Sequence, residues 1–153
     1  MSLIGQKAPD FTLFNTSKES TQLSSFQGGK VVLVFFPAAF TGVCEKEMCA
    51  FRDSLASFNA VDATVLAISV DSPFTNKAFV AKNNLNFTVL SDYTRSTISA
   101  YGITIEDFAG MDGYVASQRA VFIVDETGTI TYEWVAPNPG VEPDYEEVKS
   151  AVA

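Results

Sequence analysis

The sequence predicts an α/β fold: a central mixed sheet flanked by helices, with a β-hairpin extension on the N-terminal side. Three observations carry this. Residues 30–36 form an almost unbroken Val/Leu/Phe run, the mark of a central strand buried on both faces. Segments of strand pattern then alternate with segments of helical period. The last third reads strand, turn, strand, which predicts an antiparallel edge.

The elements follow in order. Phe11-Thr12-Leu13-Phe14 alternates apolar and polar as a half-exposed strand does, and Thr21-Gln22-Leu23 can pair back on it. Ser24 is expected to cap a short helical turn ending at Gly28-Gly29. Pro37 stops the buried strand. From Gly42 the pattern is helical, with Met48, Phe51, Leu55 and Phe58 as one apolar stripe. Residues 64–70 are a second buried strand. Ser72-Pro73 reads as an N-cap followed by proline at the first helical position. Phe74, Ala78 and Ala81 are expected to form that helix's inner face. Residues 87–90 make a short strand, and residues 95–101 a short helix closed by Gly102. Residues 120–124 are buried strand, and Thr127-Gly128 turns into a partner over residues 129–135. Asp144 caps a final helix to Val152. This is the order of a thioredoxin-like fold, which assigns no function by itself. The 153 residues are expected to form one domain, 1–153, with 47% hydrophobic residues and 13 Phe to fill its core.

Composition excludes whole classes of chemistry. There is no histidine, which removes Ser-His-Asp and Cys-His mechanisms and the commonest zinc and iron ligand. Two cysteines cannot complete a four-sulfur metal site, so no metal is expected. A net charge of −8 repels phosphate backbones, so no nucleic-acid partner is expected. No apolar run approaches the roughly 18 residues that span a bilayer. No basic stretch precedes a long apolar one near the start, so the expectation is a cytoplasmic protein without membrane contact.

The informative stretch is Pro37-Ala38-Ala39-Phe40-Thr41-Gly42-Val43-Cys44-Glu45-Lys46-Glu47, running from the end of a buried strand into the start of a helix. Cys44 would lie in the first turn, where unpaired backbone amides and the helix dipole favour an anion. A thiolate is the reactive form of cysteine. Thr41, three residues earlier, can bring its hydroxyl to the sulfur, and Pro37 can wall off water.

Pro37, Thr41 and Cys44 stand at the offsets of the proline, threonine and peroxidatic cysteine of the peroxiredoxins, and the chain resembles that family (the alkyl hydroperoxide reductase/thiol-specific antioxidant superfamily). Glu47 falls where the family carries a carboxylate or amide. Ser117-Gln118-Arg119-Ala120-Val121-Phe122-Ile123-Val124-Asp125 resembles the segment in which an arginine precedes a buried strand. Gly5-Gln6-Lys7-Ala8-Pro9-Asp10-Phe11 is similar to the family's opening. The resemblance implies a thiol-dependent peroxidase that reduces hydrogen peroxide and small organic hydroperoxides. Cys44 would attack the terminal peroxide oxygen. Thr41, Arg119 and the amides near Val43 and Cys44 would hold both oxygens, and Glu47 would position Arg119 rather than act as a base. Cys44 would become a sulfenic acid. No cofactor is implied. The implied partners are the peroxide, a thiol reductant (a thioredoxin-like protein or a low-molecular-weight thiol) and a second copy of the chain in a homodimer or higher homo-oligomer. Phe40, Phe108 and Met111 are candidates for that contact.

Cys49 is a candidate resolving cysteine, and its spacing resembles members of the bacterioferritin comigratory protein type. The flanking residues instead resemble one-cysteine members of the alkyl hydroperoxide reductase E type. Five helical residues separate two Cα atoms by about 8–9 Å, whereas a disulfide needs less than about 7 Å. Joining the two cysteines would therefore require local unwinding. No third cysteine exists to resolve from a C-terminal arm. Blander readings stand beside these: Cys44 as an inert buried cysteine, Cys49 as packing, Thr41 as a helix cap, Glu47 as a first-turn carboxylate and Arg119 as a surface arginine. Two other functions remain open from the sequence. One is a thiol-disulfide oxidoreductase, although the four-residue gap is not its usual spacing of two. The other is a redox-sensing module without turnover.

Overall fold

Residues with apolar side chains on both faces belong at the middle of a sheet, and Lys30–Phe35 (β3) occupies that place. The computed structural model describes residues 2–153; Met1, the first residue of the expected domain, lies outside them. Ahead of β3, Thr12–Phe14 (β1) and Ser20–Gln22 (β2) form the expected hairpin, followed by a 3₁₀ turn over Leu23–Phe26. After it come helix Gly42–Ala60 (α1), strand Ala63–Ser69 (β4), helix Pro73–Asn83 (α2) and strand Thr88–Ser91 (β5). Helix Ser96–Ala100 (α3) leads to a small hairpin of Thr104–Ile105 (β6) and Ala116–Ser117 (β7). Ala120–Val124 (β8), Ile130–Val135 (β9) and helix Tyr145–Val152 (α4) complete the chain.

The main sheet has seven strands in the order β2-β1-β5-β4-β3-β8-β9. β3, β4 and β5 are parallel, joined through α1 and α2; β8 runs antiparallel to β3, with Phe35 opposite Ala120. That register brings the C-terminal end of β3 beside the start of β8. Alternate residues of β3 feed two cores. Val31, Leu33 and Phe35 pack with Ile98, Tyr101 and Phe122 on the α3 side. Val32, Val34 and Phe36 pack with Met48, Phe51, Phe79 and Val148 beneath α1, α2 and α4. Among the described residues, no helix is long and apolar enough to cross a membrane.

Two local expectations are corrected. Phe74, Ala78 and Ala81 do not line the inner face of α2. Phe74 is 70% exposed, and Asn76 and Phe79 are buried instead. Asn76 donates to Ser91 Oγ at 3.1 Å and to the Leu90 carbonyl at 3.4 Å, and accepts from Ser69 Oγ at 3.2 Å. With its polar atoms satisfied, an asparagine can occupy the core face. Ser24 caps nothing: the turn begins one residue earlier, after Gln22. The Ser24 amide donates instead to Asp10 Oδ1 at 2.9 Å.

Candidate active site

The segment between β3 and α1 is shaped by three anchors. The Phe36 amide donates to the Ile68 carbonyl at 3.0 Å, continuing the sheet. The Ala39 amide donates to Asp71 Oδ2 at 2.8 Å. Phe40 adopts a left-handed backbone (φ 65), a strained choice for an aromatic residue. Its ring packs edge-on against Phe79 at 5.4 Å, beneath Lys82 Nζ at 5.6 Å. Thr41 is the residue before α1, yet its hydroxyl does not cap the helix. It donates to the Ala38 carbonyl at 2.8 Å. The first-turn amides of α1 are thus left without a side-chain cap, pointing at the region in front of Cys44.

Cys44 is buried, and its sulfur accepts from Arg119 Nη2 at 3.3 Å. Arg119 stands just before β8, and the β3–β8 register carries it to the start of α1. All three guanidinium nitrogens donate. Nη1 donates to Glu47 Oε1 at 2.8 Å. Nε and Nη2 donate to the Pro139 carbonyl at 3.1 and 2.7 Å. Burial alone would weaken this cation, but Glu47 and Cys44 beside it outweigh that and hold it above its ordinary value. Glu47 is wholly buried, and burial pushes its carboxyl up to about 7 against the lowering pull of Arg119. Its second oxygen, Oε2, has no hydrogen-bond partner among the described residues.

Cys44 opens on a cavity of about 260 Å³ walled by Pro37, Val43, Phe108 and Pro139, with Thr41, Cys44 and Arg119 as its polar groups. A few oriented polar groups in an apolar recess suit a small substrate. A larger cavity of about 310 Å³ lies beside Val31 and Leu23, at the far end of β3 from Cys44, and no thiol lines it.

The structure therefore brings Pro37, Thr41, Val43, Cys44 and Arg119 to one cavity, with Glu47 behind Arg119. It does not bring Cys49 there. Cys49 lies on the same unbroken helix but donates from Sγ to Asn83 Oδ1 on α2 at 3.7 Å; both cysteines are free thiols. Phe108 lines the cavity, half-buried against Tyr114 at 5.6 Å, while Phe40 and Met111 are exposed. Arg52 and Asp53 form an exposed pair at 2.9 Å. Sequence reasoning missed Pro139, whose part is played by a backbone carbonyl. It also missed Asp71, for which the only signal was a carboxylate following a buried strand.

A helix-start thiol in the grip of an arginine, facing a small recess on a thioredoxin-like sheet, is suited to deliver sulfur to an oxidant. The chain belongs to the AhpC/TSA family, whose model matches residues 4–133. It is 39% identical over 132 residues to alkyl hydroperoxide reductase E of Mycobacterium tuberculosis, covering 84% of this chain and 82% of that one. It is 36% identical over 132 residues to peroxiredoxin Bcp of Bacillus subtilis, covering 86% and 83%. Among solved structures, a peroxiredoxin-like protein from Aquifex aeolicus superposes with a TM-score of 0.87 at 29% identity, covering 97% of this chain and 85% of that one. These relatives favour the peroxidase over the disulfide-exchange and redox-sensor readings.

Proposed function

We propose that Cys44 is the peroxidatic nucleophile and that the enzyme reduces hydrogen peroxide and small organic hydroperoxides. The observation that carries this is the 3.3 Å contact from Arg119 Nη2 to a buried Cys44 Sγ at an uncapped helix start. The thiolate attacks the terminal peroxide oxygen; the S–O bond forms as the O–O bond breaks. The Thr41 hydroxyl donates to the Ala38 carbonyl, so its oxygen is free to accept from the peroxide O–H. Arg119 and the amides of Val43 and Cys44 hold the charge that develops on the leaving oxygen. Pro37 and Phe108 keep bulk water from the sulfur. The products are a Cys44 sulfenic acid and water or an alcohol. The two electrons come from sulfur and one proton neutralises the leaving oxygen, so the step balances without a cofactor.

A one-cysteine cycle fits the geometry best, with the sulfenic acid reduced by an external thiol. Cys49 faces Asn83 on α2, and reaching Cys44 would require unwinding the first turns of α1. The test is stopped-flow oxidation of the reduced protein by one equivalent of hydrogen peroxide, beside Cys44→Ser and Cys49→Ser, with intact mass read under non-reducing conditions. The expected result is fast oxidation lost only in Cys44→Ser, and one added oxygen as the product. Oxidation no faster than that of free cysteine would refute the peroxidase. A two-hydrogen loss abolished by Cys49→Ser would make Cys49 the resolving thiol.

Self-association belongs to the same reading. Phe40 (46% exposed) and Met111 (48% exposed) adjoin cavity-lining Thr41 and Phe108 and are suited to a contact with a second copy. Sedimentation at tens of micromolar should show a dimer that Phe40→Ser weakens.

A further inference from the structure

Cys44 and Glu47 are three residues apart on α1, on one face of the helix. Both are buried, and both are held by one guanidinium: Nη2 donates to Sγ at 3.3 Å and Nη1 to Oε1 at 2.8 Å. One fixed cation thus faces two groups that can each become an anion. Were both ionised, the buried cluster would carry a net negative charge, which is costly away from water. Every other group near Glu47 makes that worse or is already engaged. From the segment before α4, the Glu142 carboxylate adds repulsion. It accepts from the Tyr145 hydroxyl at 2.6 Å and pairs with exposed Lys46 at 3.5 Å. Tyr145, on α4, thereby spends its proton on Glu142. Arg119 is the one cation acting on Glu47 among the described residues.

The oxygens of Glu47 are unequal. Oε1 receives a strong charge-assisted bond, and Oε2 receives none among the described residues. A buried carboxylate with a bare oxygen is a poor arrangement. A neutral carboxyl that accepts at Oε1 and carries its proton on Oε2 suits the same site better.

We propose that Cys44 and Glu47 share a single proton across Arg119: in the reduced enzyme Cys44 is the thiolate and Glu47 the neutral acid, and oxidation of the sulfur transfers the negative charge to Glu47. The inference rests on the reading of Cys44 as the peroxidatic thiol. The step balances as follows. The thiolate takes the terminal OH of the peroxide and becomes a neutral sulfenic acid. The leaving oxygen takes up a proton and departs as water or alcohol. Glu47 releases a proton and becomes the carboxylate partner of Arg119. Sulfur is oxidised, the peroxide oxygens are reduced, and no net proton is drawn from solvent. If Glu47 were ionised throughout, the same conversion of thiolate to sulfenic acid would consume one proton from solvent. The raised Glu47 carboxyl, at about 7, agrees with a group that changes charge near neutrality. Glu47 acts through Arg119 and does not line the cavity, so its role is to position charge and store a proton.

The experiment uses the full chain carrying Cys49→Ser, so that Cys44 is the single thiol. Reduced protein in weak buffer near neutral pH, with a pH indicator, receives one equivalent of hydrogen peroxide. Sulfenic acid is counted by intact mass. Thiolate is followed by ultraviolet absorbance, and the neutral carboxyl by its infrared carbonyl stretch. The expected result is a reduced protein showing both the thiolate and the neutral-carboxyl signals. Both vanish on oxidation, with no net proton uptake. Glu47→Gln added to this protein should lack the carboxyl signal and take up one proton per sulfenic acid. The proposal is overturned if the Glu47 protein shows a thiolate without a neutral carboxyl and takes up one proton, or if it shows no thiolate at all. These readings need no folded Glu47→Gln variant. If no sulfenic acid forms, the peroxidase reading itself falls, and this one with it.

Discussion

Arg119 is the residue on which the site turns, because its planar guanidinium meets three acceptors that no other side chain could reach together. Sγ of Cys44, Oε1 of Glu47 and the carbonyl of Pro139 lie in three directions around it. A lysine carries the charge but not the fork. Arg119→Lys should therefore lower the peroxide reaction rate about a hundredfold or more, as loss of an oriented donor to developing charge does. Stopped-flow oxidation measures it, with circular dichroism to verify folding. Glu47 makes a prediction about stability. Its folded-state value of about 7 lies above the ordinary 4.5, so ionising it costs the fold free energy. The cost is absent below the ordinary value, grows as pH rises between the two, and is complete above the folded value. The shift corresponds to about 3 kcal/mol. In a Cys44→Ser background, Glu47→Gln should gain up to about 3 kcal/mol relative to Glu47 as pH rises from acid to mildly basic. Urea unfolding across that range checks both sign and size.

The start of α1 is held down by the end of α2. Lys82 pairs with Glu45 at 2.8 Å and lies over the Phe40 ring. Arg52 Nη1 donates to the Asn83 carbonyl at 2.6 Å, and the Cys49 thiol meets Asn83 Oδ1. The exposed pair is worth little alone, but together these contacts oppose opening of the turns between Cys44 and Cys49. Removing the Asn83 side chain should raise local opening roughly fivefold, the effect of losing about 1 kcal/mol. In the Cys44→Ser protein, Asn83→Ala should accordingly speed alkylation of Cys49; an unchanged rate would mean that the contact does not restrain the helix. Elements were legible where apolar period and caps agreed. Ser72 and Asp144 do cap α2 and α4, at 3.1 Å from Thr75 N and from Glu146 N respectively. The inner face of α2 was hidden because Asn76 reads as polar until its partners on β4 and β5 are known. Asp10, fourteen residues away, took the part expected of Ser24 through a tertiary contact that no local window contains.

Across the molecule, the same strands that make the core aim the site. Phe122 stands three residues after Arg119 on β8, fully buried against Phe35 at 5.8 Å and Tyr101 at 5.2 Å. Phe122→Ala should cost about 3–5 kcal/mol, which lowers the melting temperature by about 10 °C in a chain of this size. Calorimetry checks this, and a shift of only a degree or two would mean that the cavity collapses. The architecture was legible because β3, β4 and β8 are nearly pure apolar runs separated by helical period. That Pro37, Thr41, Cys44 and Arg119 meet at one cavity was legible, because the resemblance rests on side chains and not on backbone. The small β6–β7 hairpin was not legible, since two-residue strands have no period to read. Nor was the segment after β9 legible as part of the site.

That segment has a consequence of its own. The match to the AhpC/TSA family model ends at residue 133, and the carbonyl that grips Arg119 comes six residues later. A main-chain oxygen is present whichever amino acid is encoded there, so its hold on the arginine leaves no trace in residue identity. Side chains around residue 139 can change while the grip persists, and a shift of backbone path can abolish it with every active-site residue intact. Inserting or deleting one residue between β9 and α4 should therefore change the rate of Cys44 oxidation in stopped flow, with every side chain that lines the cavity unchanged.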